Sequence, residues 1–212
     1  MGHPIIWVIT AVVALFSFGG IFYYFKNKKF LLIGMKGAGK TTYCNAMLAI
    51  AQKKKSWRAE QQKQSSTMEE VPFRIDTFLL MVDTAGAENY KKRWAEMIKD
   101  RNPDCIFYFY DISELEKPIE FNNGFKCYYY KNLAADFKML RSLCQEHQKK
   151  LVIIGTHSDI KYDENKADKY LSEALSCLDE GKYRQVRGSI VDYKSAETLI
   201  KNINKTLKQL KI

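Results

Sequence analysis

No two of the five cysteines, Cys44, Cys105, Cys127, Cys144 and Cys177, stand in a C-x-x-C step or in the spacing of a zinc site. Their thiols read as reduced side chains of a cytosolic domain. There is no internal repeat and no low-complexity segment, which sets aside solenoids and long polar linkers. The segment Ile5 to Phe25 has no charged residue at all, its only ionisable side chains being Tyr23 and Tyr24. At helical rise it measures about 31 Å, roughly one hydrocarbon core. A cleaved signal peptide does not fit, since Met1 to Pro4 carries no Lys or Arg and no small-residue cleavage site follows the run. A myristoyl signal does not fit at Gly2 either, because Ile6 stands where that motif needs Ser or Thr.

What is present at the N-terminus reads as a single-span anchor over residues 1–25. Trp7 and Tyr23-Tyr24 lie where an aromatic belt would form, and Lys26, Lys28 and Lys29 follow at once. The positive-inside rule then puts everything beyond the basic linker, residues 26–29, in the cytoplasm. The formal net charge is +10, from 34 Lys and Arg against 24 Asp and Glu. The clearest clusters, Lys26 to Lys29 and Lys53 to Lys55, have no interleaved aromatic platform, so no direct nucleic-acid partner is expected. An anionic membrane leaflet accounts for the first cluster.

The remainder, residues 30–212, is organised around FLLIGMKGAGKTTYC. The apolar run Phe30 to Ile33 leads into Gly34, Met35, Lys36, Gly37, Ala38, Gly39, Lys40 and Thr41, which fits G-x-x-x-x-G-K-[ST], and then into the helical stretch Thr42 to Ala51. Glycines let the backbone N–H groups and the helix N-terminus face a polyphosphate. Lys40 would reach its outer phosphates, and the Thr41 hydroxyl would bind a Mg²⁺ ion that bridges them.

Further strands are expected at Val71 to Ile75, Phe78 to Val82, Cys105 to Tyr110, Leu151 to Ile154 and Tyr183 to Arg187. Helices are expected at Tyr90 to Arg101, Tyr128 to Gln148, Asp163 to Leu178 and Ala196 to Leu210. Ser56 to Thr67 reads as a polar loop, and Glu114 to Lys126, broken by Pro118 and Gly124, as an exposed excursion. Alternating strands and helices predict an α/β, doubly wound, mostly parallel sheet with helices on both faces and ligands at the carboxyl ends of its strands. The remaining candidates fall just there: Asp83 to Gly86, Thr156 to Asp159, and Gly188-Ser189.

In these motifs the chain resembles the small GTPases, and is similar to the ADP-ribosylation-factor group. Its anchor-plus-domain organisation resembles the β subunits of signal recognition particle receptors. The resemblance implies that Gly34 to Thr42 holds the phosphates of GTP or GDP. It implies that Asp83, in the DTAGQE-like Asp83-Thr84-Ala85-Gly86-Ala87-Glu88, holds Mg²⁺ through water, and that the Gly86 N–H senses the γ-phosphate. Thr156-His157-Ser158-Asp159 stands at the NKxD position, which makes Asp159 the reader of guanine; a carboxylate is an acceptor pair facing two donors. Helix capping before Asp163 is the competing role for Asp159. Ser189 lies at the last, loosely matched base-binding motif. Thr67, with Ser66 and Ser65 behind it, is the candidate switch residue on Mg²⁺.

Three positions depart from the family pattern. Thr156 replaces the asparagine that braces the phosphate loop, and His157 replaces the lysine that lies over the base. Ala87 replaces the glutamine that orients water, so no catalytic side chain is assigned and hydrolysis is expected to be very slow. The expectation is a membrane-anchored GTP switch, in protein targeting to the endoplasmic reticulum, whose switch regions bind a protein partner such as a receptor α-like subunit. The alternative is a G domain kept as a structural subunit, permanently loaded or nucleotide-free. An ATP-using kinase is disfavoured, because no lid arginines are evident.

Overall fold

In the central strands apolar residues alternate between two faces, and each set belongs to a different core. From β2 (Lys29–Gly34), Phe30 and Leu32 point to one side while Leu31 and Ile33 point to the other. β5 (Cys105–Asp111) divides in the same way, Phe107 and Phe109 against Tyr108 and Tyr110. So does β8 (Lys150–Thr156), with Val152 and Ile154 against Leu151 and Ile153. A strand apolar on both sides needs cover on both, which the helices supply. Residues 10–11, 22–59, 70–75, 78–83, 90–120 and 126–212 are described by the structure, a computed structural model.

The first core is closed by α1 (Lys40–Ala51) and α5 (Tyr193–Gln209), which present Tyr43, Met47 and Ile50 and Leu199, Ile203 and Leu207. The second is closed by α2 (Tyr90–Arg101), α3 (Tyr129–Glu146) and α4 (Glu164–Leu175), through Trp94 and Ile98, Leu133 and Phe137, and Leu171.

The main sheet has the order β1-β3-β4-β2-β5-β8-β9, where β3 is Glu70–Ile75, β4 is Phe78–Asp83 and β9 is Tyr183–Arg187. Its pairings are parallel except for the β3–β4 hairpin, which is antiparallel. The chain leaves β2 toward β4 on one side and later returns to β5 on the other. The direction of winding therefore reverses between β2 and β5, and the crevice of a doubly wound sheet opens at their carboxyl ends.

Three sequence expectations change. Phe22 and Phe25, assigned above to the end of the anchor, are buried in the first core, where Phe25 packs on Phe30 with ring centroids 4.9 Å apart. The globular core therefore begins by Phe22 rather than Phe30. An unbroken apolar run has the same composition whether lipid or protein covers it, so sequence alone misplaces this boundary.

Thr10–Ala11, inside the expected span, forms a two-residue strand β1 parallel to β3, with Ala11 opposite Ile75. Residues 1–9 and 12–21 lie outside the described residues, and among the described residues no helix is long and apolar enough to cross a membrane. Finally, the excursion after Glu114 contains a small antiparallel sheet of β6 (Pro118–Glu120) and β7 (Lys126–Tyr128). Pro118 opens its strand, a position where the missing N–H costs no ladder bond.

Candidate functional site

The crevice is lined first by the turn from β2 into α1. Gly34 has φ 125°, and a Cβ there would lie 2.1 Å from the Phe109 carbonyl oxygen, so only glycine lets β2 run this close to β5. Met35 N–H completes the approach by donating to the same carbonyl at 2.9 Å. Gly37 is also left-handed, with φ 78°, and a Cβ at this position would meet nothing within 4 Å. Among the described residues, therefore, nothing closes on the turn at Gly37, as a phosphate cradle requires.

Gly39 is the N-cap of α1, with φ 77° and no side chain to accept from the first helical N–H groups. Those donors and the positive end of the helix are left for an anion. Lys40 is 8 % exposed, and its Nζ donates to the carbonyls of Gly34 and Met35, both at 2.9 Å. That folds the ammonium back over the turn it belongs to. Lys36 is exposed at the turn's tip, Ala38 is buried beneath it, and Thr41 and Thr42 are half-buried on the first turn of α1. β4 lies next to β2, with Val82 opposite Leu32, so Asp83 ends its strand at the same edge. The other candidates around a metal and a γ-phosphate, Thr67, Thr84, Gly86 and Ala87, lie outside the described residues, as do Ser65 and Ser66. The residues that are described, a left-handed glycine turn, an uncapped helix start and a lysine over the turn, fit a nucleotide's phosphates.

The second wall comes from β8. Thr156 is 1 % exposed, and its Oγ1 lies 3.2 Å from the Ala38 carbonyl and 3.1 Å from the Tyr110 carbonyl. The single hydroxyl proton serves one of these acceptors at a time. The side chain thus ties the phosphate loop to β5. Position 156 departs from the family's asparagine, yet the short threonine still braces the loop.

His157 follows with φ 60°, and its Nδ1 lies 3.0 Å from Asp111 Oδ2 and 3.0 Å from Thr156 Oγ1. Asp111 is held in turn by Ser113, whose N–H and Oγ–H reach its Oδ1 at 2.9 and 2.7 Å. The hydrogen bond to Asp111 raises the His157 pKa above its ordinary value, against the opposing effect of burial. Burial alone would push the Asp111 carboxyl up, but the bonds from His157 and Ser113 outweigh it and leave it lowered.

Asp111 was not picked out from the sequence. The available signal was an aspartate closing a fully apolar strand beside the crevice, with a serine two residues on.

Asp159 lies exposed in the turn that follows, where the Ile160 N–H donates to the His157 carbonyl at 3.1 Å. The N-cap of α4 is Asp163, which accepts from the Lys166 N–H at 3.2 Å. The competing capping role is therefore taken by another residue, and Asp159 is left facing outward.

The third wall joins through Gly188, whose N–H donates to the Gly155 carbonyl at 2.9 Å. A hollow of about 420 Å³ opens there, lined by Ser158, Gly188 and Ser189. The Ser189 hydroxyl is buried and has no hydrogen-bond partner in the structure. An unsatisfied buried hydroxyl is costly, and a ligand atom in this hollow would relieve it.

No protein-family model matches this chain, and no curated protein matches it in sequence. Solved structures do match. A chain from the structure of the mammalian SRP receptor superposes with a TM-score of 0.57 at 14 % identity, covering 83 % of this chain and 100 % of that one. The class defined by this fold is an α/β, mostly parallel-sheet fold of the P-loop GTPase type. At that identity the likeness is one of fold.

Proposed function

We propose that the chain is a membrane-anchored, GTP-binding switch that turns over slowly, cycling between GTP and GDP with Mg²⁺. The observation that carries the nucleotide reading is the open start of α1. A left-handed glycine leaves the helix uncapped, nothing among the described residues closes on Gly37, and Lys40 sits over the turn. The guanine reading is supported by Asp159, free of the capping role, and by the unsatisfied Ser189 hydroxyl.

The likeness in fold to a chain of the SRP receptor, together with the uncharged run and lysines at the N-terminus, supports a β-subunit-like role in protein targeting at the endoplasmic reticulum. Its switch regions would bind a protein partner, such as a receptor α-like subunit. A second reading, a G domain kept as a structural subunit, is favoured by the bonds with which the loop holds itself: Lys40 on Gly34 and Met35, and Thr156 on Ala38.

One preparation tests the nucleotide reading and the nucleotide-free form of the alternative. The full chain, purified gently with Mg²⁺, should retain guanine nucleotide. Asp159→Asn should lower guanine affinity and raise that for xanthine nucleotide, whose 2-oxo group needs a donor. Equal affinity for ATP and GTP would overturn the guanine reading, and an absence of nucleotide binding would leave the structural subunit. Single-turnover hydrolysis should be slow and should accelerate in Ala87→Gln. Rapid hydrolysis by the unmodified chain would show that another residue orients the water.

A further inference from the structure

We propose that the end of the sheet opposite the phosphate loop is an electrostatic docking surface for the anionic headgroups of a lipid bilayer. The topology gathers cations there from segments far apart in sequence. β2, β5, β8 and β9 all start at this end, because they run parallel. α1 and α5 finish here, as does α3.

Lys26 and Lys29 are exposed just ahead of β2 and at its first residue, and Lys53, Lys54 and Lys55 are exposed beyond the end of α1. Lys150 opens β8, Lys182 immediately precedes β9, and Lys208 and Lys211 stand at the end of α5, all four exposed. A cleft of about 420 Å³ opens on the same end, with Lys149, Lys150 and Lys182 in its wall.

The acidic residues at this end are fewer: Asp100, Asp104, Glu146, Glu173, Asp179 and Glu180. Two of them are already engaged. Asp104 accepts from the Lys29 N–H at 2.8 Å and stands 3.9 Å from the Lys28 ammonium, while Asp179 pairs with Arg141 at 2.5 Å. The strand-carboxyl end is mixed in sign, with Asp111, Glu114, Glu116, Asp159, Asp163 and Asp192 interspersed with Lys36, Lys117, Lys161, Lys166 and Lys194.

Cations at helix C-termini are favoured by the macrodipole, and that alone accounts for Lys208. It does not account for Lys26, Lys29, Lys150 and Lys182, which lie at the starts of strands.

Two observations select a bilayer as the partner. The large apolar side chains that are exposed among the described residues, Tyr128, Ile160 and Val191, all belong to the other end, and at the basic face the cleft offers the half-buried Tyr183 rather than a row of exposed rings on which bases could stack. The chain also enters the domain at this face. Phe22 and Phe25 are buried there, and the Tyr24 N–H donates to Asn204 near the end of α5 at 3.1 Å, so the uncharged run of the sequence joins the domain on its basic side.

Distance then makes the asymmetry effective. α5 spans about 25 Å between the two ends, against a Debye length of about 8 Å at physiological salt. A bilayer beneath the basic face therefore feels those lysines, while the mixed charges at the crevice end are screened from it. Docked in this way, the domain holds the phosphate loop away from the membrane and open to soluble partners. The inference rests on the membrane part of the reading above and not on the nucleotide.

The test is acetylation of individual lysines, read by mass spectrometry. The full chain is bound to vesicles of phosphatidylcholine alone, or with about one lipid in three replaced by phosphatidylserine, at about 0.15 M salt. Lys54, Lys150, Lys182 and Lys208 should react severalfold more slowly on the anionic vesicles, while Lys161 and Lys194 at the crevice end should react equally on both. High salt should abolish the difference. Combined Lys54→Glu, Lys150→Glu and Lys182→Glu should abolish the protection of Lys208.

Equal reactivity on both vesicles would overturn the proposal. So would protection of the same lysines by a soluble RNA but not by anionic lipid. Failure of the chain to float with the neutral vesicles would count against the anchor, whereas this surface is judged on the anionic sample.

Discussion

α1 and α5 lie side by side on one face of the sheet and begin at the same end, yet their first turns are built in opposite ways. α5 closes its own start. Asp192 accepts from the Ser195 N–H at 2.9 Å, and the Ser195 hydroxyl accepts from the Asp192 N–H at 3.1 Å, a reciprocal capping box. α1 has a glycine at the equivalent position, which offers no side chain to accept from its first N–H groups, and an ammonium folded over the turn. A helix start that is stable alone needs its orphan donors satisfied from within, and one that binds an anion needs them left over. The pair therefore separates a structural terminus from a functional one on the same sheet edge, in which a difference of side chain at the N-cap decides the role.

The most severe way to break this comparison is Lys40→Ala. It removes the cation from the open terminus, and affinity for a nucleoside triphosphate should fall by about 3 kcal/mol, roughly a hundredfold. Titration of a fluorescent guanine nucleotide checks it. Unchanged affinity would mean that the open start of α1 does not hold phosphate.

The brace comes next. Thr156→Val keeps the shape and removes the side-chain donor that, among the described residues, reaches the Ala38 and Tyr110 carbonyls, two buried acceptors. Denaturant unfolding should show a loss of about 2 kcal/mol, with faster nucleotide release. A variant with native stability and native release would show that the threonine does not hold the loop.

Asp192→Ala sharpens the contrast from the other side, because it opens α5 without giving it a glycine turn or a lysine. Stability should fall by about 1 kcal/mol. Nucleotide affinity and stoichiometry should not change, and a second bound nucleotide would show that an uncapped helix start is sufficient for binding.

Much of this was legible in the sequence for identifiable reasons. The loop Gly34 to Thr41 has its meaning in the spacing, and Cys105 to Tyr110 or Tyr183 to Arg187 could be placed because short apolar or alternating runs between turn residues leave few options. The start of the core was not legible, since Phe22 and Phe25 end an apolar run that reads equally well as membrane span. Nor were β6 and β7, three residues each, in a segment whose proline and glycine read as loop. At position 156 the sequence shows only a change of residue type, from which no contact of the threonine follows. Only the approach of Thr156 to Ala38, across 118 positions of sequence, shows that its hydroxyl reaches the loop. Asp111 escaped notice because its partner His157 is also distant in sequence, and a single aspartate after a strand is not a motif.

That pair gives the last and smallest expected effect. The His157 pKa is raised above its ordinary value, so its contribution is complete below that value and is lost as pH rises through the raised one. The Asp111 pKa is lowered, so its contribution is complete above the ordinary carboxyl value and is lost as pH falls through the lowered one. Between those limits the folded protein holds the proton on histidine and the charge on aspartate, and stability from this pair should decline as pH rises from the ordinary histidine value through the raised one. About a third of the His157 side chain is exposed, with 32 % relative accessibility, so solvent screens the pair and the change should stay below about 1 kcal/mol. The measurement is the difference in unfolding free energy between the unmodified chain and His157→Gln across this range. It should be largest at the acid side and shrink toward the alkaline side. Because Thr156 Oγ1 lies within hydrogen-bond reach of the same Nδ1, nucleotide release should accelerate over the same interval. A stability difference that is flat with pH would mean that His157 is uncharged against Asp111, and the brace would then owe nothing to the ion pair beside it.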